Sequence, residues 1–171
     1  MQIQNQNENS TGVGHDSIPD DLFATFIGPN GPYYMRHFAI FRLLGGNFTT
    51  SWNWSAFLVP YAWLFYRKMY LYGLIALAVS YLFNFIGWLV AGIAVGLCGN
   101  YMYYIHTTKK LLGLRATRPE ADLQLVARII GGTNMPVALI VGIFTFASLF
   151  LAAGVLGFFF VGPVGIQNWL L

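Results

Sequence analysis

Six carboxylates, three histidines and one cysteine are the chain's first candidates for acid–base, metal or nucleophilic chemistry. His15, His37 and His106 are separated by 22 and 69 residues, far from the short spacings of metal ligands on one element. Cys98 precedes His106 by eight residues, about 12 Å along a helix and too far to share a metal. Asp16, Asp20 and Asp21 sit near the N-terminus. Glu120 and Asp122 precede a periodic apolar stretch, where the dipole of a helix start favours negative charge. No carboxylate falls within a long apolar block, which argues against an aspartyl intramembrane protease, a carboxylate proton relay or a carboxylate-ringed cation filter. Walker, dinucleotide-binding, nucleophile-elbow and zinc-protease patterns do not occur. The sequence therefore predicts no catalytic set, no metal site and no cofactor.

The residues that remain suit lipid or protein contact. Arg67 and Lys68 lie between two strongly apolar blocks. Snorkelling to lipid phosphates is the plain expectation for them, and recognition of an anionic headgroup or a partner carboxylate is the sharper one. Lys109, Lys110, Arg115 and Arg118 add a basic patch that fits anionic lipid. Trp52, Trp54 and Trp63 stand among polar neighbours, as rings at the headgroup level do. Gly92, Gly96 and Gly99 have the spacing of small residues that brings transmembrane backbones together, within the chain or between copies. Asn100 beside them is a candidate for interhelical hydrogen bonding, and His37 and His106 read as interfacial residues.

These residues must be positioned in a chain of 171 residues that is 57% hydrophobic and 9% charged. Soluble domains carry about 25% charge, so the composition excludes a soluble enzyme, a disordered chain and a nucleic-acid-binding module. It predicts an all-α integral membrane protein with three to four transmembrane helices and further interfacial or re-entrant helices. Residues 1–20 are a polar tail expected to be disordered, without the basic and apolar regions of a signal peptide. Residues 21–171 form a single membrane domain. An amphipathic helix is expected over 30–44, with Asn30 as cap, Pro32 in the first turn and Gly45-Gly46 as the stop. Residues 52–66 form a tryptophan-rich interfacial or re-entrant helix interrupted by Pro60, with a full span over 48–66 as the alternative.

The uncharged block 69–108 is forty residues long, about 60 Å as a helix, against roughly 30 Å of hydrocarbon. A transmembrane hairpin over 67–108 follows, turning near 84–88. A second amphipathic helix over 117–130 opens with the capping box Thr117-Arg118-Pro119-Glu120 and stops at Gly131-Gly132. Residues 135–171 supply one span and a C-terminal apolar segment broken by Gly162-Pro163. If 52–66 does not cross, the nine Lys and Arg residues share one face, cytoplasmic by the positive-inside rule, and the N-terminus is expected there too.

The order of Phe26-Ile27-Gly28-Pro29-Asn30, Tyr33-Tyr34, Ser51-Trp52-Asn53-Trp54-Ser55-Ala56-Phe57, Trp63-Leu64-Phe65-Tyr66-Arg67-Lys68-Met69-Tyr70, Gly99-Asn100-Tyr101-Met102-Tyr103-Tyr104 and Gly131-Gly132-Thr133 resembles the bacterial membrane family catalogued as domain-of-unknown-function family 2628. Gly31-Pro32 and Asn134 depart from its pattern. The resemblance implies a small bacterial inner-membrane protein and supplies no activity. The functional expectation is a non-enzymatic structural or accessory subunit of a membrane assembly, in contact with anionic headgroups and with a membrane-protein partner or a second copy, and with no nucleic acid. The alternative is a small homo-oligomeric channel or transporter. An enzyme acting on lipids at the interface is a third, weaker reading, because it would need the acids of the tail and loop to reach the headgroups.

Overall fold

The computed structural model describes residues 18–118 and 120–167, and among these it is all-helical, with no strand. Seven helices follow in order: α1 Asp20–Ile27, α2 Gly31–Leu43, α3 Trp54–Leu58, α4 Pro60–Tyr66, α5 Tyr70–Thr117, α6 Glu120–Ile130 and α7 Met135–Gln167.

The hydrogen-bonded helix α5 does not run straight. A Cβ built on Gly87 would stand 2.5 Å from the Val79 carbonyl oxygen and 2.9 Å from Ser80 Cα, whereas eight residues of straight helix separate atoms by about 12 Å. Contacts from α4 require the same reversal. Tyr61 meets Ser80 while Trp63, two residues on, packs against Gly99. In a straight rod those two α5 positions would be about 28 Å apart. The helix thus doubles back between Phe83 and Gly87, giving a short first arm and a long second arm. The second arm continues through Lys109 and Lys110 to Thr117, beyond the end expected at 108. Thr117 donates its hydroxyl back to the Gly113 carbonyl at 2.9 Å. It therefore ends α5 and does not cap the next helix, which begins at Glu120.

The tryptophan-rich segment is two short helices with Pro60 at the start of the second, where its missing N–H costs nothing. Its path along the second arm of α5 is a descent and a return. Ser51 N–H donates to the Leu97 carbonyl at 3.2 Å and Asn53 N–H to the Gly96 carbonyl at 2.8 Å. Phe57 reaches Gly92 and the ring of Trp88. The chain then climbs to Trp63 at Gly99 and Tyr103. A single crossing over 48–66 is incompatible with this path.

The N-terminal helices cover the upper part of α5. Ile18 is buried and α1 starts at Asp20, so the end of the expected tail belongs to the fold; residues 1–17 lie outside the described residues. Leu22, Phe23, Phe26 and Ile27 of α1 are buried, as are Tyr34, Phe38 and Phe41 of α2. Phe38 sits edge-on to Tyr104 at 5.1 Å, and Tyr34 edge-on to Tyr103 at 4.9 Å. Asn30 occupies the cap position of α2 without a side-chain capping bond. Gly131 touches the end of α1 so closely that a Cβ would overlap the Phe26 carbonyl, and Gly132 donates to that same oxygen at 2.6 Å. Helix α7 extends from Met135 to Gln167, through the Gly162-Pro163 break expected from the sequence. Helices continue through proline in apolar surroundings because other backbone conformations leave more polar groups unmet. Residues 168–171 lie outside the described residues.

Two stretches, Ile86–Thr117 and Asp122–Ser148, are long and apolar enough to cross a membrane by length and composition; Tyr70–Phe83 is apolar but shorter. The outer faces of α5 and α7 are apolar and exposed, including Leu71, Leu74, Leu82, Ile86 and Val90 on one and Ile140, Phe144 and Leu151 on the other.

Candidate functional site

Polar groups inside the molecule gather at two places on α5. The first lies where the 51–53 backbone meets the helix. Asn100 is fully buried, and its Oδ1 accepts from Asn53 Nδ2 at 2.8 Å. Its own Nδ2 donates to Ser51 Oγ at 3.0 Å and to Tyr33 Oη at 3.3 Å. Asn53 Oδ1 in turn accepts from the Ala56 N–H at 3.1 Å and starts α3. Both amides are satisfied, and together they hold an irregular backbone against a helix. Gly92, Gly96 and Gly99 make the approach feasible: their Cβ atoms would lie 2.8 Å from Phe57 O, 3.0 Å from Phe57 Cβ and 3.3 Å from the Trp63 ring. The glycine face is occupied within the chain.

The second place surrounds Arg67. Its guanidinium carbon stands 4.3 Å from the Tyr34 ring centroid, 5.0 Å from that of Tyr103 and 5.1 Å from that of Tyr66. Each ring attracts the cation by about 0.5 to 2 kcal/mol. None accepts a strong N–H hydrogen bond, and Nε and Nη1 have no hydrogen-bond partner. Arg67 is 3% exposed. This overturns the expectation that it snorkels outward. A buried unpaired cation carries a desolvation cost of several kcal/mol. The buried Tyr103 hydroxyl faces Arg67 and the hydroxyl of Thr107, one turn further along α5.

Arg67 borders a cavity of about 750 Å³. One wall comes from Tyr34, Trp63 and Tyr66; the other is a stripe of α7 that includes Leu139, Gly142, Ile143, Phe146 and Phe150. Asn134 ties the upper end of that wall to α4 by donating its N–H to the Tyr66 carbonyl at 2.9 Å, and its Oδ1 caps α7 at Val137.

Lys68, the neighbour of Arg67, has a different task. Its φ of 58° turns the chain between α4 and α5. Its ammonium donates to the carbonyls of Ile130 at 3.1 Å and of Gly131, where the last carbonyls of α6 are unpaired and the helix dipole favours a cation. It is thus engaged by protein rather than lipid. Trp63 is buried, while Trp52 and Trp54 are exposed and pack edge-on at 5.3 Å. Lys109 and Lys110 are exposed on the last turns of α5. Among the described residues no three His, Cys, Asp or Glu side chains come together.

Sequence reasoning placed Arg67 at a boundary but missed its aromatic cage. The signal available was Tyr34 and Tyr103, each in a motif singled out above, though nothing in their spacing brings them to Arg67. No protein-family profile matches the chain, and neither the curated proteins nor the solved structures contain a match. The resemblance to family 2628 rests on the motifs themselves.

Proposed function

We propose that this chain is a non-enzymatic integral protein of the bacterial inner membrane that serves as a structural or accessory subunit of a membrane assembly. The observation that carries this reading is the continuous apolar exterior of α5 and α7. Soluble monomers rarely expose apolar patches beyond a few hundred Å², whereas a bilayer rewards them. In the proposed arrangement both arms of α5 and the first part of α7 cross, giving three spans. Tyr70–Phe83 is about 21 Å long and is accommodated by local thinning of the bilayer. The 51–66 segment is re-entrant, and its irregular backbone is tolerated because α5 supplies the hydrogen bonds that lipid cannot. Arg36, Arg42, Arg67, Lys68, Lys109, Lys110, Arg115, Arg118 and Arg128 then lie toward the cytoplasm.

Carbonate washing of membranes expressing the chain should leave it in the pellet, and cysteines placed at position 110 should react only from the cytoplasmic side. Release into the wash, or labelling from the opposite side, would refute the arrangement. Cross-linking in the native membrane followed by mass spectrometry tests the role: a reproducible foreign partner at near-equal amount supports an accessory subunit. Self-contacts alone would replace it with the homo-oligomeric channel.

A further inference from the structure

We propose that the cavity between α4 and α7 is a binding site for one anionic glycerophospholipid of the surrounding leaflet, with its phosphate at Arg67 and an acyl chain along α7. The proposal rests on membrane residence and goes beyond it by naming a ligand. Three features converge on this chemistry. First, a cation stands at the edge of the cavity with only aromatic side chains around it: Arg67 is 3% exposed, borders the cavity, faces the Tyr103 hydroxyl and keeps Nε and Nη1 without a hydrogen-bond partner. A guanidinium fork matches the oxygens of a phosphate better than any other common ligand group. Second, among the described residues no carboxylate pairs with it. Asp20 is paired with Arg42 at 2.6 Å and Asp21 accepts from Gln124 at 2.7 Å, and no Asp or Glu lines the cavity.

Third, the cavity has the shape of an amphiphile. Its polar end is Arg67 with the Tyr34 and Tyr66 rings. Its α7 wall runs from Ala138 to Phe150, about 18 Å of helix, close to half of the roughly 30 Å hydrocarbon core. The level is also right. Arg67 stands beside Tyr103, sixteen residues up α5 from the reversal at Gly87, or about 24 Å from that deep end. A phosphate there sits near the headgroups, and the wall descends from it through one leaflet. A headgroup with a single negative charge neutralises Arg67; a zwitterionic one brings a further cation to a site that holds no anion.

The test uses the purified full chain in detergent. Phosphatidylglycerol and phosphatidylcholine with identical chains are titrated, and the melting temperature and the lipid retained in native mass spectra are read. Phosphatidylglycerol should half-saturate at a concentration at least tenfold lower, while millimolar inorganic phosphate leaves the melting temperature unchanged. Arg67→Gln should abolish the preference between the two lipids. Gly142→Leu provides a variant that keeps the charge: a Cβ there meets nothing within 4 Å, so the larger side chain fills the groove without displacing protein. It should weaken phosphatidylglycerol binding at least tenfold with an unaltered lipid-free melting temperature. Equal binding of both lipids by the parent chain would overturn the proposal, as would undiminished binding in Gly142→Leu. A shift with inorganic phosphate equal to that with lipid would also overturn it, by assigning the site to a free anion. Membrane residence is read separately from the carbonate wash, so failure of one does not imply failure of the other.

Discussion

The two polar clusters on α5 differ in what their hydrogen bonds are for. At Asn100 every amide group has a partner, supplied by the 51–56 segment and by Tyr33 of α2. At Arg67, which stands against Tyr103 less than one helical turn along α5, Nε and Nη1 are buried without a hydrogen-bond partner. Native interiors rarely leave polar groups unmet, and those that are demand a reason. The comparison separates a polar group used to hold the fold from one kept for something the chain does not itself contain.

Breaking the first cluster should have the largest effect. Asn100→Leu removes the acceptor for Asn53 and the donors to Ser51 and Tyr33. Buried groups left unsatisfied cost about 1–3 kcal/mol each, so a loss of about 3 kcal/mol is expected in chemical unfolding in detergent. Gly96→Leu should follow at about 2 kcal/mol, because its side chain enters space held by Phe57 and Trp52 and overpacking costs about 1–3 kcal/mol. Arg67→Met sharpens the contrast by its sign. Replacing a buried ion with an apolar group of similar volume is often neutral or stabilising, so without added lipid its unfolding free energy should be unchanged or higher by about 1 kcal/mol. A loss as large as that of Asn100→Leu would mean that Arg67 is structural.

Smaller effects are expected around the edges of the two clusters. Lys68→Gly retains the left-handed backbone but loses the ammonium at the end of α6, which should cost about 1 kcal/mol and raise amide exchange in Glu120–Ile130. His37, stacked edge-on to Tyr33 at 4.8 Å, has its pKa lowered by burial. The unfolded chain then binds the proton more readily, so stability is complete above the ordinary histidine value near 6.5 and declines as pH falls below it. A slightly lower melting temperature at pH 5.5 than at pH 7.5, removed by His37→Gln, is the expected result.

Much of the architecture is legible because it follows from period and punctuation. Pro60 divides the tryptophan segment, Gly45 and Gly46 end α2 with φ of 64° and 79°, and the charge-free length of 69–108 exceeds any single crossing. Helix α1 went unread although Pro19, two first-turn acids and the 22, 23, 26, 27 spacing announce it; the polar tail before it obscured the change of pattern. Thr117-Arg118-Pro119-Glu120 has the form of a capping box, yet Thr117 bonds backwards, because the preceding helix was still running. The least legible distinction is between Arg67 and Lys68. They are adjacent and alike in charge, and only the turn at Lys68 sends one into the aromatic core and the other to α6. Local propensity carries no information about which of two neighbours is buried.

The backbone pairing of 51–53 with α5 also sets an order of assembly. Ser51 and Asn53 donate to carbonyls of Leu97 and Gly96, more than forty residues later in the chain. When the ribosome has made residue 60, those acceptors do not exist, and hydrocarbon offers no substitute. In the proposed membrane arrangement the 51–66 segment therefore waits at the membrane surface, where water serves its N–H groups, until the second arm of α5 has been inserted. Its docking is a late, long-range closure in the biogenesis of the protein.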